Sequence, residues 1–437
     1  MSLETPTPAE VSPSELAAAR PPRRSLWRHA DFMKLWTAHS VSQLGDEVTQ
    51  LAIPFVAVIT LEVEPFELGL LGAFQFLPFI LLTIPAGVWV DRVRRRPILI
   101  GADIGRAILL ASIPVAFVLD VLSLPQLYVV AFGVGCMEVF FDVAYQSYLP
   151  SVVERDRLVE GNAKLELSAA GSNIAGPGLA GLLVELVQAP IAILFDVISY
   201  AASVVILLFI HKPEVAPEPH DVATGPRPSM RQDAAAGLRY VLGHPYLRMI
   251  AACTGTLNLF GNIGTAILLL YAVKELGLTP ATIGLIFTIG SVGVFVGALT
   301  AERLGRWIGV GPTIVTSAFL SSFTLVAVAL APREAPVPWI IAGFFIGSAT
   351  SVIYNVNQVS LRQAITPERM LGRMNATMRF IVWGTIPVGA LVGGILGEII
   401  GLQGTIWVGA IGSFLGFLPV FFSPVRSLET IPEAQPA

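Results

Sequence analysis

The sequence predicts an all-α membrane protein with twelve transmembrane helices in two six-helix, pseudo-symmetric bundles. Three observations lead there. Of 437 residues, 54% are hydrophobic and only 13% are charged, with a mean hydropathy of +0.72; soluble domains carry roughly 25% charged residues. The apolar runs are long and continuous, without the ten-residue alternation of barrel strands, so helices are expected. The chain also repeats itself weakly. Asn162, Ala163, Gly171, Gly176 and Gly181 recur 213 residues later as Asn375, Ala376, Gly384, Gly389 and Gly394, and Asp91, Arg92 and Arg95 recur 211 residues later as Glu302, Arg303 and Arg306.

The predicted spans lie near 35–61, 67–90, 97–120, 125–149, 163–187, 189–210, 248–273, 280–303, 309–331, 336–359, 374–400 and 403–423. They divide the chain into a tail (1–30), a first bundle (31–210), a linker (211–245), a second bundle (246–424) and a second tail (425–437). The linker begins Pro-rich, as KPEVAPEPHDVATGPRP. It ends with Met230, Ala234, Leu238 and Leu242 at helical spacing, which predicts an amphipathic helix on the membrane surface. The first thirty residues hold no short apolar core before a small-residue cleavage site, so no cleavable signal is expected. Cys136 and Cys253 both lie in apolar runs and are expected as free thiols.

Lysine and arginine orient the spans. With both termini cytoplasmic, only Lys274 and Arg333 of the 27 basic residues fall in outer loops, as the positive-inside bias requires. The stretch GVWVDRVRRRP, Gly87 to Pro97, is then the cytoplasmic turn between the second and third spans. Gly87 would let the second span approach a neighbour closely. Asp91, just past its end, could accept from a helix N-terminus or pair with an arginine.

Polar residues inside the spans follow helical spacing. The first span carries His39, Ser42, Gln43, Asp46 and Gln50 on one face; the fourth carries Glu138, Asp142, Tyr145 and Gln146. The seventh has Thr254, Asn258, Asn262 and Thr265, and the tenth Ser351, Tyr354, Asn355 and Gln358. Such faces either line a cavity or hydrogen-bond between helices of a dry bundle. Asp46 is about 18 Å along its helix, near the bilayer centre, where a carboxylate can gain and lose a proton as water access changes. Glu138 is similarly deep. Arg106 is expected to form a structural ion pair with Asp142 or with Asp103. Lys34, about 18 Å from Asp46 along the helix, is too far to pair with it; Arg106 could serve Asp46 but is assigned on depth to Asp142 or Asp103. Asp196 has no evident partner.

Other chemistries find no support. There is no GxxxxGK[ST] loop for ATP-driven transport, no His/Cys cluster with metal-ligand spacing and no nucleophile–base pair. No enzyme activity, metal, cofactor or nucleic acid is expected.

The residues carry a resemblance to the major facilitator superfamily over nearly the whole chain. Gly87 to Arg96 resembles its loop 2–3 motif, with Arg94 in place of the second glycine. That departure, and the phrase NVNQVSLRQAITPERMLGRMNA from Asn355 to Ala376, are similar to the enterobactin-exporter and macrolide-efflux branch. GPGLAG, Gly176 to Gly181, resembles the antiporter motif of helix 5, with Ala180 for a glycine. The resemblance implies a fold around a central cavity lined by spans 1, 4, 7 and 10, in a bacterial-type inner membrane. Gln43, Gln50, Asn258, Asn262, Tyr354, Asn355 and Gln358 would line that cavity. It implies a cytoplasmic gate of Gly87, Asp91, Arg92 and Arg95, latching onto Arg379, and a gating role for Gly176, Pro177 and Gly181. The expected function is proton-coupled export of an amphipathic small molecule, drug-like or a siderophore, by alternating access. Asp46 and Glu138 are the proton-coupling candidates. The expected partners are that small molecule, protons and the lipid bilayer, with a monomeric chain. A facilitator or importer of a metabolite or lysolipid, and a non-transporting sensor or scaffold, remain as alternatives.

Overall fold

The structure, a computed structural model, describes residues 25–90, 92–154, 157–211 and 230–430. Every element among them is helical. α1 (Ala30–Phe55) runs into a π-helical turn, Val56–Thr60. α2 is Pro65–Val90, α3 Arg95–Val118, α4 Leu124–Val152 and α5 Leu158–Val187. α6 (Leu194–Leu208) follows the short helix Ala189–Ala192, and α7 is Met230–Gly243. α8 (Pro245–Ala266) continues as Leu268–Lys274, and α9 is Pro280–Ile308. α10 (Val310–Ser321) continues as Phe323–Ala329, and α11 is Pro336–Ile365. α12 (Glu368–Gly416) is followed by Leu418–Phe421.

Local chemistry sets these limits. Proline opens α2, α8, α9 and α11, where its missing N–H costs nothing and its fixed φ suits the first turn. Thr279 caps α9 by accepting from the Thr282 N–H at 3.3 Å. Gly401 breaks α12 with φ 77° and ψ 167°, a conformation that a side chain would strain. The helix therefore turns there into two arms, 368–400 and 402–416.

Among the described residues, ten helical stretches are long and apolar enough to cross a membrane. α1 is not one of them. Asp31, Lys34, Asp46 and Glu47 lower its hydropathy, although with its π turn it covers the predicted first span. The stretch Glu368–Phe421 counts once although Gly401 divides it.

Packing separates the helices into sets. α1 packs on α5 and α6, α2 on α4, and α3 on α4 and α6. α8 packs on α12, and α11 on both α9 and α10. The sets meet along α2–α12 and α5–α9. Both seams are glycine crossings. A Cβ on Gly394 would lie 2.9 Å from the Pro65 carbonyl oxygen and 3.1 Å from Gly69 Cα; one on Gly181 would lie 3.0 Å from Gly284 Cα and closer still to the Pro280 carbonyl. The 213-residue offset of the repeat carries Gly181 onto Gly394, so the two seams correspond.

The apolar core follows the same division. One cluster holds Phe55, Leu71 and Ile193 together with Tyr271, Ile340 and Ile406, joining both sets at the end that bears the crossings. At the other end the core splits. One part holds Phe32, Leu99 and Leu149, the other Leu247, Ile314 and Leu361. The molecule is sealed at one end and parted at the other.

One expectation changes here. Gly87 does not serve a close approach: a Cβ on it would meet nothing within 4 Å, because it lies at the parted end. The helix expected at the end of the linker is α7. Gly237 and Val241 are buried, with Gly237 against Thr377 and the Arg373 carbonyl of α12, whereas Leu238 and Leu242 are exposed. The arginine-rich turn has one clear structural use. Arg96 donates to the carbonyls of Leu207 (3.1 Å) and Leu208 (2.8 Å), closing the C-terminal end of α6.

The crossings predict a specific sensitivity. Gly394→Leu should destabilise the protein by about 1–3 kcal/mol, the usual cost of overpacking, and lower its melting temperature in detergent. Gly384→Leu, whose Cβ meets nothing within 4 Å, should not. Equal melting temperatures for the two variants would contradict the tight seam.

Candidate functional site

Two features of the interior carry chemistry. The first is a charged node where α1, α3, α4 and α6 converge. Its centre is Arg106 of α3, 1% exposed. Its Nη2 donates to Asp103 Oδ1 at 2.5 Å, and its Nη1 lies 3.5 Å from Asp46 Oδ1. The rings of Phe141 (α4) and Tyr200 (α6) lie 4.4 and 4.3 Å from its Cζ, close enough for cation–π attraction. Tyr200 donates its hydroxyl hydrogen to Asp46 Oδ1. Ser203 donates to the second oxygen of Asp103 at 2.6 Å.

Beside the node, Asp196 is fully buried and accepts from Thr49 at 2.5 Å and from Ser199 at 2.8 Å. Gly45 lets α1 approach this carboxylate, since a Cβ there would collide with Asp196 and Ser199. Glu47 and Glu138 are half-buried and Asp142 is exposed. Glu138 lies in electrostatic range of Asp46, Glu47, Asp142 and Arg106, and Asp142 in range of Arg106 and Arg379. Asp46 has its side chain 36% exposed, so one carboxylate of the node is tied to the cation and still partly open.

The second feature is a cavity of about 880 Å³ walled by α8 to α12. Thr254 and Asn258 of α8 line it, with Tyr354, Asn355, Gln358 and Arg362 of α11 and Asn375, Arg379 and Trp383 of α12. Tyr354 and Thr254 share a hydrogen bond of 2.6 Å across α8 and α11.

The expected site residues divide between these features. Asn258, Tyr354, Asn355, Gln358 and Arg379 line the cavity; Gln43, Gln50 and Asn262 do not. Asn262 instead donates to the Asn258 carbonyl at 2.7 Å, and its Cβ packs near Gly389. Of the two partners expected for Arg106, Asp103 on its own helix forms the ion pair and Asp142 does not, lying only in electrostatic range; the guanidinium also reaches Asp46 on α1. Arg106 is therefore the cation of Asp46 as well as of Asp103. Asp91 lies outside the described residues, so its latch to Arg379 has no geometry here. Arg379 is exposed and stacks its guanidinium 5.6 Å from the Trp383 ring.

The helix 5 motif forms contacts rather than an interruption, as α5 runs unbroken through Pro177. Gly176 receives the Glu47 side-chain stem of α1, Gly178 faces Thr288 of α9, and Gly181 makes the seam. Sequence reading missed Glu47, Thr49 and Tyr200 and left Asp196 unassigned. A signal for the sixth span existed: Asp196, Ser199, Tyr200 and Ser203 are spaced three and four apart, a polar stripe in an otherwise apolar helix.

Solved transporters share this fold. A bacterial homologue of the iron transporter ferroportin in its inward-facing state matches with a TM-score of 0.72 at 15% identity, covering 91% of this chain and 99% of that one. A bacterial ferroportin homologue in the outward-facing state matches with a TM-score of 0.54 at 17% identity, covering 90% and 98%. The family model and the curated relatives identify the chain as a membrane transporter of the major facilitator superfamily. Within it, the chain belongs to the transmembrane secretion effector family, whose model matches residues 24–436. Similar curated proteins include the multidrug efflux pump Tap of Mycolicibacterium fortuitum, 24% identical over 88% of this chain and 94% of that one. The enterobactin exporter EntS of Citrobacter koseri is 23% identical over 79% and 80%.

The node predicts a strong dependence on Arg106. Arg106→Leu leaves Asp103 and Asp46 without their cation, and breaking a buried pair from one side costs about 3–5 kcal/mol. Purified protein should melt many degrees lower, and Asp103→Asn in the same chain should recover part of the loss. An unchanged melting temperature for Arg106→Leu would show that the node does not hold the helices together.

Proposed function

We propose that this protein is a proton-coupled exporter of amphipathic small molecules, crossing the membrane twelve times in two six-helix bundles and working by alternating access. The count takes α1 with its π turn as one crossing and divides α12 at Gly401. The observation that carries the reading is a partition of chemistry. Five carboxylates, Asp46, Asp103, Glu138, Asp142 and Asp196, lie in electrostatic range of one buried guanidinium in the first half, with a sixth, Glu47, beside Asp46. A ligand-sized cavity lies in the second half. Excess negative charge inside a membrane is neutralised most simply by protons, and intramembrane carboxylates mark proton relays. The efflux pump and exporter among the relatives support the outward direction of transport.

The proposed cycle uses both. The parted end is read as cytoplasmic, on the lysine and arginine bias, and the sealed end as outer; the higher TM-score to an inward-facing neighbour supports this state. Substrate enters the cavity from the cytoplasm or inner leaflet. Asp46 and Glu138 exchange protons with whichever side is open, and Arg106 holds Asp46 in place meanwhile. The glycine seams part when the outer side opens, and Gly87, Asp91, Arg92, Arg95 and Arg379 then close the cytoplasmic side. A single chain suffices, in the inner membrane with both termini cytoplasmic.

Three dansyl compounds of different charge make the test possible before a substrate is known: dansylamide (neutral), dansylglycine (anionic) and dansylcadaverine (cationic). In proteoliposomes under an imposed pH difference, the wild type should move at least one of them uphill. Asp46→Asn should exchange that compound without concentrating it. Full uphill transport by Asp46→Asn with loss in Glu138→Gln would move the coupling to α4, and full transport by both variants would reject proton coupling through the node.

Orientation has its own check. In a background without Cys136 and Cys253, Arg94→Cys should resist an impermeant maleimide in sealed cells, and Glu334→Cys should react. The reverse pattern would invert the topology.

A further inference from the structure

Arg362 poses a question that proton coupling does not answer. It sits on α11 one turn after Gln358, lines the cavity and is 8% exposed. Among the described residues no carboxylate lies within 4.0 Å of it, and its Nε has no hydrogen-bond partner. The electrostatic influence on it is the Tyr354 phenol, not an acid. Gln358, 3% exposed, is half-satisfied in the same way: Nε2 donates to Asn355 at 2.9 Å, and Oε1 has no partner. A buried guanidinium without a counter-charge is costly, and more so inside a membrane protein.

The rest of the wall points the same way. Among the described residues no aspartate or glutamate lines the cavity, whereas Arg379 of α12 does. Arg379 interacts electrostatically with Asp142 across the molecule, so of these two wall arginines Arg362 has no acid partner among the described residues. Around them are amide and hydroxyl groups, Asn258, Ser351 and Asn375, and the apolar faces of Met378, Val382 and Trp383. The volume, about 880 Å³, suits a drug-sized molecule. A planar guanidinium fork pairs best with a carboxylate or a similar oxyanion.

We propose that the cavity selects substrates bearing an anionic head group, a carboxylate or sulfonate-like oxyanion seated on Arg362 and the Gln358 amide, with the apolar remainder along Val382 and Trp383. The side-chain amide of Gln358 can turn to present either its donor or its acceptor. The proposal rests on the reading of the cavity as the substrate site of an exporter. It places recognition in the second half and leaves proton handling to the first.

The test is direct binding to the full chain in nanodiscs of phosphatidylcholine, by fluorescence of dansylglycine and dansylcadaverine. These share a fluorophore and differ in charge. The wild type should bind dansylglycine about tenfold or more tightly than dansylcadaverine, the scale of one charge-assisted pair. Arg362→Gln should abolish that preference, and Arg362→Lys should retain part of it. The wild-type comparison needs no variant, so misfolding of Arg362→Gln cannot hide the answer. Equal binding of the two probes by wild type would overturn the proposal, as would an anion preference that survives in folded Arg362→Gln. Phosphatidylglycerol nanodiscs that abolish dansylglycine binding would assign the site to a lipid head group and overturn it as a site for cargo. Uphill transport of the cationic or neutral probe without anion binding would refute this inference and leave the export reading standing. Arg362-dependent anion binding without uphill flux would do the opposite.

Discussion

The Arg106 guanidinium is the constraint on which the first half of the molecule depends. It lies at depth in a membrane protein, where an unpaired charge is costly, and four helices converge on it. α3 supplies the cation and Asp103, α1 supplies Asp46, and α4 and α6 supply the rings of Phe141 and Tyr200. Ser203 then takes the Asp103 oxygen that the guanidinium leaves open, and Tyr200 shares Asp46 Oδ1 with it. Helices α1, α3, α4 and α6 cannot slide past one another without breaking part of this set. The node fixes the position of Asp46 while leaving that side chain partly exposed, and a proton-exchanging carboxylate needs both.

The second half is built differently. It has no comparable charged centre; its cavity is walled by amides, hydroxyls and two arginines, and its helices close against the first half through glycine. The seams at Gly69–Gly394 and Gly181–Gly284 are backbone contacts, tight but not charged, and suited to parting as a unit. A contiguous set of contacts runs between the halves. Asp46 and Glu47 are adjacent on α1, the Glu47 stem packs into Gly176 of α5, and α5 crosses α9 at Gly181. That is spatial continuity, the minimum that coupling between a protonation site and the cavity requires.

Much of the helix order was legible because lipid leaves a periodic signature: long apolar runs, proline at helix starts, basic residues in loops. α1 and α12 show where that signature weakens. α1 was read as a span although Asp31, Lys34, Asp46 and Glu47 make it less apolar than the others. α12 reads as two spans, but only the positive φ of Gly401 divides a helix that otherwise runs on. The polar faces of α8 and α11 were legible by spacing, and most of their residues meet at one cavity. The node was only half legible. Depth along separate helices matched Arg106 with Asp142, whereas the pairing with Asp46 depends on how α1 and α3 are rotated about their axes, which spacing does not encode. Asp196 was overlooked as a partnered residue for the same reason: Thr49, which it accepts from, is 147 positions away.

The central claim is that protonation at the node sets which side of the molecule is open. Spin labels at Glu62, in the loop after α1, and at Glu398 of α12 flank the Gly69–Gly394 seam. Their distance distribution, measured in nanodiscs at acidic and alkaline pH, reports opening of the sealed end directly. The account predicts a short-distance population that exchanges with a longer one as pH changes in the wild type, and a distribution independent of pH in Asp46→Asn. The same pH-dependent shift in both proteins would contradict it.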